Sequence, residues 1–138
     1  MDGLERFLSA QDGVYSTALA ELRAGRKRTH WMWFIFPQLS GLGRSSTAEG
    51  YALTSLDEAR AYCDHPVLYD RLIKCCSFLF AHRDQSASAI MGSPDDLKLH
   101  SSMTLFALAQ PENPTFKRML EVFFESAYDA QIEALLSK

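Results

Sequence analysis

Two short segments carry the side chains of this chain that can do chemistry. The first, Thr29 to Ser46, reads THWMWFIFPQLSGLGRSS and packs His30, Trp31, Trp33, Gln38, Gly41, Gly43, Arg44 and Ser45 into one span. Glycines at 41 and 43 free the backbone to turn with its N–H groups inward. Ser45 adds a donor, and Arg44 can close a bidentate clamp on an anion. The pattern lacks P-loop spacing, so a plain turn followed by a helix cap reads it equally well. The indole of Trp31 or Trp33 can stack a base or another flat group, with Gln38 offering amide hydrogen bonds beside it. Trp31, Met32, Trp33 and Phe34 cannot all face one way, however, and most of the run belongs to a core. His30 can titrate near neutrality, but a single histidine with no marked Asp or Cys partner serves a structural part as readily.

The second segment, DDLKLHSS from Asp95 to Ser102, offers acid, base and hydroxyl types in an otherwise apolar stretch. Asp95 and Lys98 can pair at i,i+3. A Ser101 nucleophile with His100 as its base is a poor geometry, because helical neighbours point about 100° apart. Hydroxyls such as Ser101, Ser102 and Thr104 on a helix are either bonded back to the preceding turn or donors into a pocket.

The expectation is therefore a pocket between the 30–46 and 95–102 segments that binds or acts on a small anionic, nucleotide-like ligand. Its predicted binding residues are His30, Trp31, Trp33, Gln38, Gly43, Arg44, Ser45, Asp95, Lys98, Ser101 and Ser102. Arg44 and Lys98 would hold the anion, Trp31 or Trp33 would stack, and Asp95 or His30 would serve in acid–base work. No catalytic residue and no cofactor is named by the sequence, and whether the protein is an enzyme stays open. A second reading is a non-catalytic interaction module whose aromatic segment docks a protein partner or a second copy. A third is nucleic-acid binding. It draws on five Lys/Arg and no Asp or Glu between Leu22 and Ala48, but a net charge of −3 weighs against it.

The elements that position these segments are helices. Leu4, Phe7, Leu8 and Gln11, then Tyr15, Ala18, Leu19 and Leu22, follow the 3.6-residue period. Asp12-Gly13 predicts a break or kink between two helices, and Gly25 predicts a stop. Ser55 and Glu58 form a capping box that opens a helix to about Cys63. His65-Pro66 ends it and starts the next, which should run to about His82-Arg83. Ser93-Pro94-Asp95-Asp96 reads as cap, proline and two first-turn acids, opening a helix to about Ala109. Asn113-Pro114 opens another through Phe124 or Glu125, and Asp129 to Leu136 gives a last short one. Trp31 to Phe36 could be extended on propensity alone. Pro37 to Thr54 is the longest irregular stretch, a long loop of the functional kind. The expected fold is all-α, a compact single-domain bundle of six to seven helices over 1–138, with a long loop after the aromatic segment.

Bulk properties agree with a soluble folded domain. A chain of 138 residues is long enough for one real core, and 47% apolar residues suffice to fill it, which excludes global disorder. The N-terminus lacks the pattern of a secretory signal, and no run approaches 18 apolar residues, so no membrane span is expected. Cys63, Cys75 and Cys76 cannot all pair internally and no CxxC exists. A structural zinc site is not expected, and a reduced, cytoplasmic compartment is.

Four stretches carry a resemblance: LxRFxxAQ at Leu4 to Gln11, AELRAGRKRTHWMWFIFPQLSGLGRSS at Ala20 to Ser46, SLDEARAY at Ser55 to Tyr62, and GSPDDLKLHSSMTLF at Gly92 to Phe106. On these the chain resembles the bacterial domain of unknown function 1810 family over nearly its whole length. The resemblance implies a compact, mainly helical protein and no established activity. Members are sometimes labelled calpastatin. Calpastatin-type inhibitors are disordered and repeat-bearing, whereas this chain has one core's worth of aromatic residues and no repeat, so the label does not transfer.

Overall fold

The computed structural model describes residues 3–43 and 45–137. Among them the chain is all-α, with nine helices and no strands. The first, α1 (Glu5–Ala24), is one continuous helix, where the sequence predicts a break at Asp12-Gly13. Its buried stripe of Phe7, Gln11, Ala18 and Leu22 runs straight through that point, and packing of the stripe outweighs the propensity cost of one glycine. A Cβ added at Gly13 meets nothing within 4 Å, so Gly13→Ala should stabilise the protein by about 0.5–1 kcal/mol. Urea unfolding checks this, and a loss of stability would mean that the helix is not continuous there. The helix stops where expected: Gly25 sits at φ 78°, and its N–H and that of the following residue satisfy the last carbonyls.

After α1 come two short helices, α2 (Met32–Ile35) and α3 (Ser46–Gly50). The segment that propensity alone would extend is thus helical. Burial of Met32 and Ile35 on one side decides the matter. The stretch after it is less irregular than predicted. A single parallel bridge joins Leu39 to Leu53, through Ser40 N–H to Leu53 O at 2.7 Å and Leu53 N–H to Gln38 O at 2.8 Å. The bridge folds 39–53 into a pinned loop around α3.

The caps then set the order of α4 (Leu56–Asp64), α5 (Pro66–Ala81), α6 (Ala87–Met91), α7 (Asp95–Ala109), α8 (Pro114–Phe124) and α9 (Ala130–Leu136). Ser55 Oγ accepts from Glu58 N–H at 3.1 Å, but Glu58 reaches past the box to the N–H of Thr54 at 2.9 Å. Its position fits an ion pair with Arg6 of α1 at 3.4 Å. His65 caps α5 through Nδ1. At α7 the cap is Pro94 rather than Ser93, one residue later than predicted, after a cis Ser93–Pro94 bond. Helix α6 is one that sequence does not announce. Nine helices thus replace six to seven: the predicted break is absent, and α2, α3 and α6 are added.

The core is built around α7, in which residues 101–107 are all buried. A helix buried around its circumference lies at the centre of a bundle. An aromatic file crosses it: Phe7 of α1 meets Tyr62 of α4 edge-on at 5.3 Å. Tyr62 meets Phe106 of α7 at 5.6 Å, and Phe106 stacks on Phe116 of α8 at 5.4 Å. The one hydroxyl in this file is satisfied, since Gln11 Nε2 donates to Tyr62 Oη at 3.0 Å and to Phe34 O at 2.7 Å. Gln11 Oε1 in turn accepts from Arg71 of α5 at 3.1 Å. This network fixes α2 against α1, α4 and α5, and with it the direction in which Trp33 leaves the core.

Candidate functional site

The turn between α1 and α2 is built on a carboxylate. Glu21 of α1 accepts from Arg28 N–H at 2.7 Å, Thr29 N–H at 3.0 Å, Thr29 Oγ1 at 2.7 Å and Trp31 Nε1 at 2.9 Å. Burial pushes the Glu21 carboxyl up, but these donors outweigh it and hold the group at about 2. Trp31 is thereby sealed into the core. The adjacent cation is internal too: the Lys27 side chain is only 6% exposed, and its Nζ lies 2.8 Å from Asp95 Oδ2 and 4.8 Å over the Trp31 ring. Asp95 also reaches Lys98 Nζ at 3.5 Å, and Lys98 Nζ lies 4.5 Å over the ring of Trp33. Ring, ammonium, carboxylate, ammonium and ring therefore alternate from the buried tryptophan to the half-buried one.

The outer end of this row opens on a cleft of about 280 Å³. Trp33, Gln38, Gly43, Lys98 and Ser101 line it, so the two segments meet in one concavity. Leu39, Gly41, Leu42, Ala48, Ala52, Pro94 and Leu97 supply apolar and backbone walls, and His100, Asp129 and Gln131 complete the lining. Gln38 holds the floor to α7: its Nε2 donates to Lys98 O at 2.8 Å and to Phe36 O at 3.0 Å. Gly43 is needed for closeness, because a Cβ there would lie 2.4 Å from the Ala48 Cβ.

Other predicted residues lie elsewhere. His30 is exposed and absent from the cleft lining. Trp31 is core. Ser45 is exposed and caps α3, accepting from Ala48 N–H at 3.0 Å, in agreement with the plainer reading of its turn. Asp95 stands behind the cleft as the link between two lysines. Ser102 is fully buried, with its Oγ unpartnered. Arg44 lies outside the described residues.

The far wall comes from the chain's C-terminal end. Asp129 caps α9 by accepting from Gln131 N–H at 2.9 Å, and its own N–H donates to Thr104 Oγ1 at 2.9 Å. Thr104 Oγ1 donates back to His100 O at 2.8 Å, as expected for a hydroxyl on a helix. Ser101 Oγ lies 2.5 Å from Asp129 Oδ2 and 3.1 Å from Leu97 O. One hydroxyl carries one proton, and the nearer carboxylate takes it in a charge-assisted bond. His100 stacks on Phe124 at 4.4 Å with 8° between planes, and its Nε2 is 2.7 Å from Ala127 O. A carbonyl only accepts, so this contact fixes the proton on Nε2. Asp129 and Gln131 are the cleft residues that sequence reasoning missed. Their only local signal is a helix cap, which says nothing of a site some thirty positions earlier.

Among the described residues no group of three or more His, Cys, Asp or Glu is placed to hold a metal ion, and no helix is long and apolar enough to cross a membrane. Cys63, Cys75 and Cys76 are free and buried. Burial pushes the thiols of Cys63 and Cys75 up to about 12 and raises that of Cys76 well above its ordinary value, away from reactivity. None of them lines the cleft.

Comparison with known proteins returns two matches. A family model described as "Protein of unknown function (DUF1810)" covers residues 1–136. A solved structure, a conserved hypothetical protein Rv1873 from Mycobacterium tuberculosis, is 48% identical over 98% of this chain and 96% of its own, with a TM-score of 0.95. No curated protein matches the chain.

Proposed function

The chain belongs to the DUF1810 family of proteins of unknown function, and from that premise we propose that it binds a small anionic, nucleotide-like ligand in the cleft beside Trp33 and Lys98. One observation carries the reading: Lys98 Nζ is held over the Trp33 ring at 4.5 Å, beside a concavity lined by apolar residues and several polar side chains. Such a mixture is the usual make-up of a small-molecule site. Lys98 offers a cation to an anionic group, and Trp33, Leu39, Leu42 and Pro94 offer surface to a flat body. Of the roles assigned from sequence, stacking passes to Trp33 alone, and Asp95 becomes the residue that orients Lys98. The three free, buried thiols support a cytoplasmic location.

A thermal-shift screen with nucleotides, sugar phosphates and simple anions tests this. A ligand at about 100 times its Kd adds roughly 2.7 kcal/mol, which for a domain of this size raises the midpoint by about 5–10 °C. The shift should vanish in Lys98→Met, whose stem still packs beside Trp33. No shift across the panel would sink the reading.

A second reading rests on Leu97, 60% exposed at the cleft rim. There the protein is a non-catalytic interaction module, and a partner's side chain or a second copy fills the cleft. Concentration-dependent sedimentation that is abolished by Leu97→Ser would favour it.

A further inference from the structure

Resting on the reading above, a more specific statement follows from what the polar side chains of the cleft have left to offer. Gln38 uses its amide N–H groups on the carbonyls of Phe36 and Lys98, which leaves Oε1, an acceptor. His100 commits its Nε2–H to Ala127 O, and Nδ1 of the neutral ring is again an acceptor. Asp129 takes one donor on each oxygen, from Ser101 on Oδ2 and Gln131 N–H on Oδ1, and each oxygen keeps a second acceptor site.

Among the described residues, Asp129, and Asp96 away from the cleft, differ from the other partly buried carboxylates in having no ion pair. Asp95 has two lysines, Glu58 has Arg6, and Glu21 has four donors. Among the described residues Asp129 has no ion pair and two side-chain hydrogen bonds, both from neutral groups. A carboxylate in a half-apolar cleft is under-compensated until a ligand brings donors to it. Gln38, Asp129 and a neutral His100 thus give the cleft spare acceptors, beside the Gln131 amide, which can both donate and accept; among the described residues Lys98 is its one cation.

We infer that this cleft takes a phosphorylated nucleoside whose planar base presents two adjacent N–H donors on one edge, with that edge on Asp129 and the anionic group on Lys98. A 2-amino-6-oxopurine has such an edge, since its ring N–H and exocyclic amine match the two oxygens of one carboxylate. A 6-oxopurine without the amine offers one donor there, and a 6-aminopurine offers an acceptor in place of the ring N–H.

The test is titration calorimetry of the full chain with GMP, IMP and AMP. GMP should bind at least about tenfold more tightly than IMP and AMP, the order of effect of leaving one carboxylate contact unmade. In Asp129→Asn, whose one remaining oxygen still accepts from Gln131 N–H to cap α9 and whose Nδ2 donates to Ser101 Oγ while that hydroxyl turns its proton to Leu97 O, the GMP/IMP ratio should fall to within about twofold. The wild-type ratio does not depend on any variant folding. IMP or AMP binding as well as GMP would overturn the inference and leave the anion pocket standing. So would a GMP preference unchanged in Asp129→Asn, or failure of all three where the thermal-shift panel yields some other anion. Failure of the whole panel would remove the pocket itself.

Discussion

Trp31→Ala is expected to cost about 3–5 kcal/mol, the range for emptying a fully buried large aromatic site. Trp31 is 0% exposed. Its ring packs at 6.3 Å from that of Phe36 and under the Lys27 ammonium, and its Nε1 fills one of four donor positions on Glu21. Truncation removes the apolar burial and strips the cation of its aromatic face together. For a domain of this length the unfolding midpoint should fall by roughly 10–20 °C. Trp31→Phe keeps most of the ring and loses the N–H, so it should cost less, about 1–2 kcal/mol. Calorimetric melts of both variants check the order. A loss below about 1 kcal/mol for the alanine variant would show that the indole is not part of the core.

Glu21→Gln is expected to cost about 2–3 kcal/mol at neutral pH, because a carboxylate that accepts charge-assisted bonds from three residues becomes an amide that must turn one end away from a donor. The pH dependence follows from the same contacts. The folded carboxyl is held at about 2, below its ordinary 4.5, so the folded state favours the charged form. Its contribution is fully present above pH 4.5 and is lost as the pH falls from there towards about 2. The glutamine variant has no such titration. Urea unfolding of both proteins at pH 7, 4 and 2.5 should show the stability gap closing as the pH drops. A gap constant across that range would mean that the Glu21 contacts do not hold the turn.

Helices α4, α5, α8 and α9 were legible in the sequence because the cap that starts each is local chemistry. Ser55, His65-Pro66, Asn113-Pro114 and Asp129 each satisfy donors within three residues, and each stands at a helix start in the structure. Gly13 misled for the same reason: its propensity is local, whereas the packing of Phe7, Ala18 and Leu22 that overrides it is not. The helices α2, α3 and α6 are too short for a 3.6-residue pattern to register. The meeting of Gln38 with Lys98 was an inference from residue types. The contact that makes it is one amide on one carbonyl sixty positions away, and no period in the chain encodes it. Trp31 and Trp33 were indistinguishable as types, and only Glu21, ten positions earlier, decides which is sealed in. Asp129 read only as the start of a short last helix, and in the structure it caps that helix. That it also faces the cleft depends on α9 folding back across α7, a fact of tertiary structure alone.

The three thiols described above have a use that concerns neither ligand nor fold. Cys63 stands next to last in α4, and Cys75 and Cys76 sit in the middle of α5, all buried and all held in the protonated, unreactive form at neutral pH. An alkylating reagent can reach them only in molecules that have opened. Their labelling rates therefore act as clocks written into the chain: Cys63 times the fraying of one helix end, and the α5 pair times the parting of the bundle. Where reclosing outpaces the reagent, the ratio of each rate to that of an unfolded thiol is an opening equilibrium constant, read without denaturant and without a reporter group being engineered into the chain.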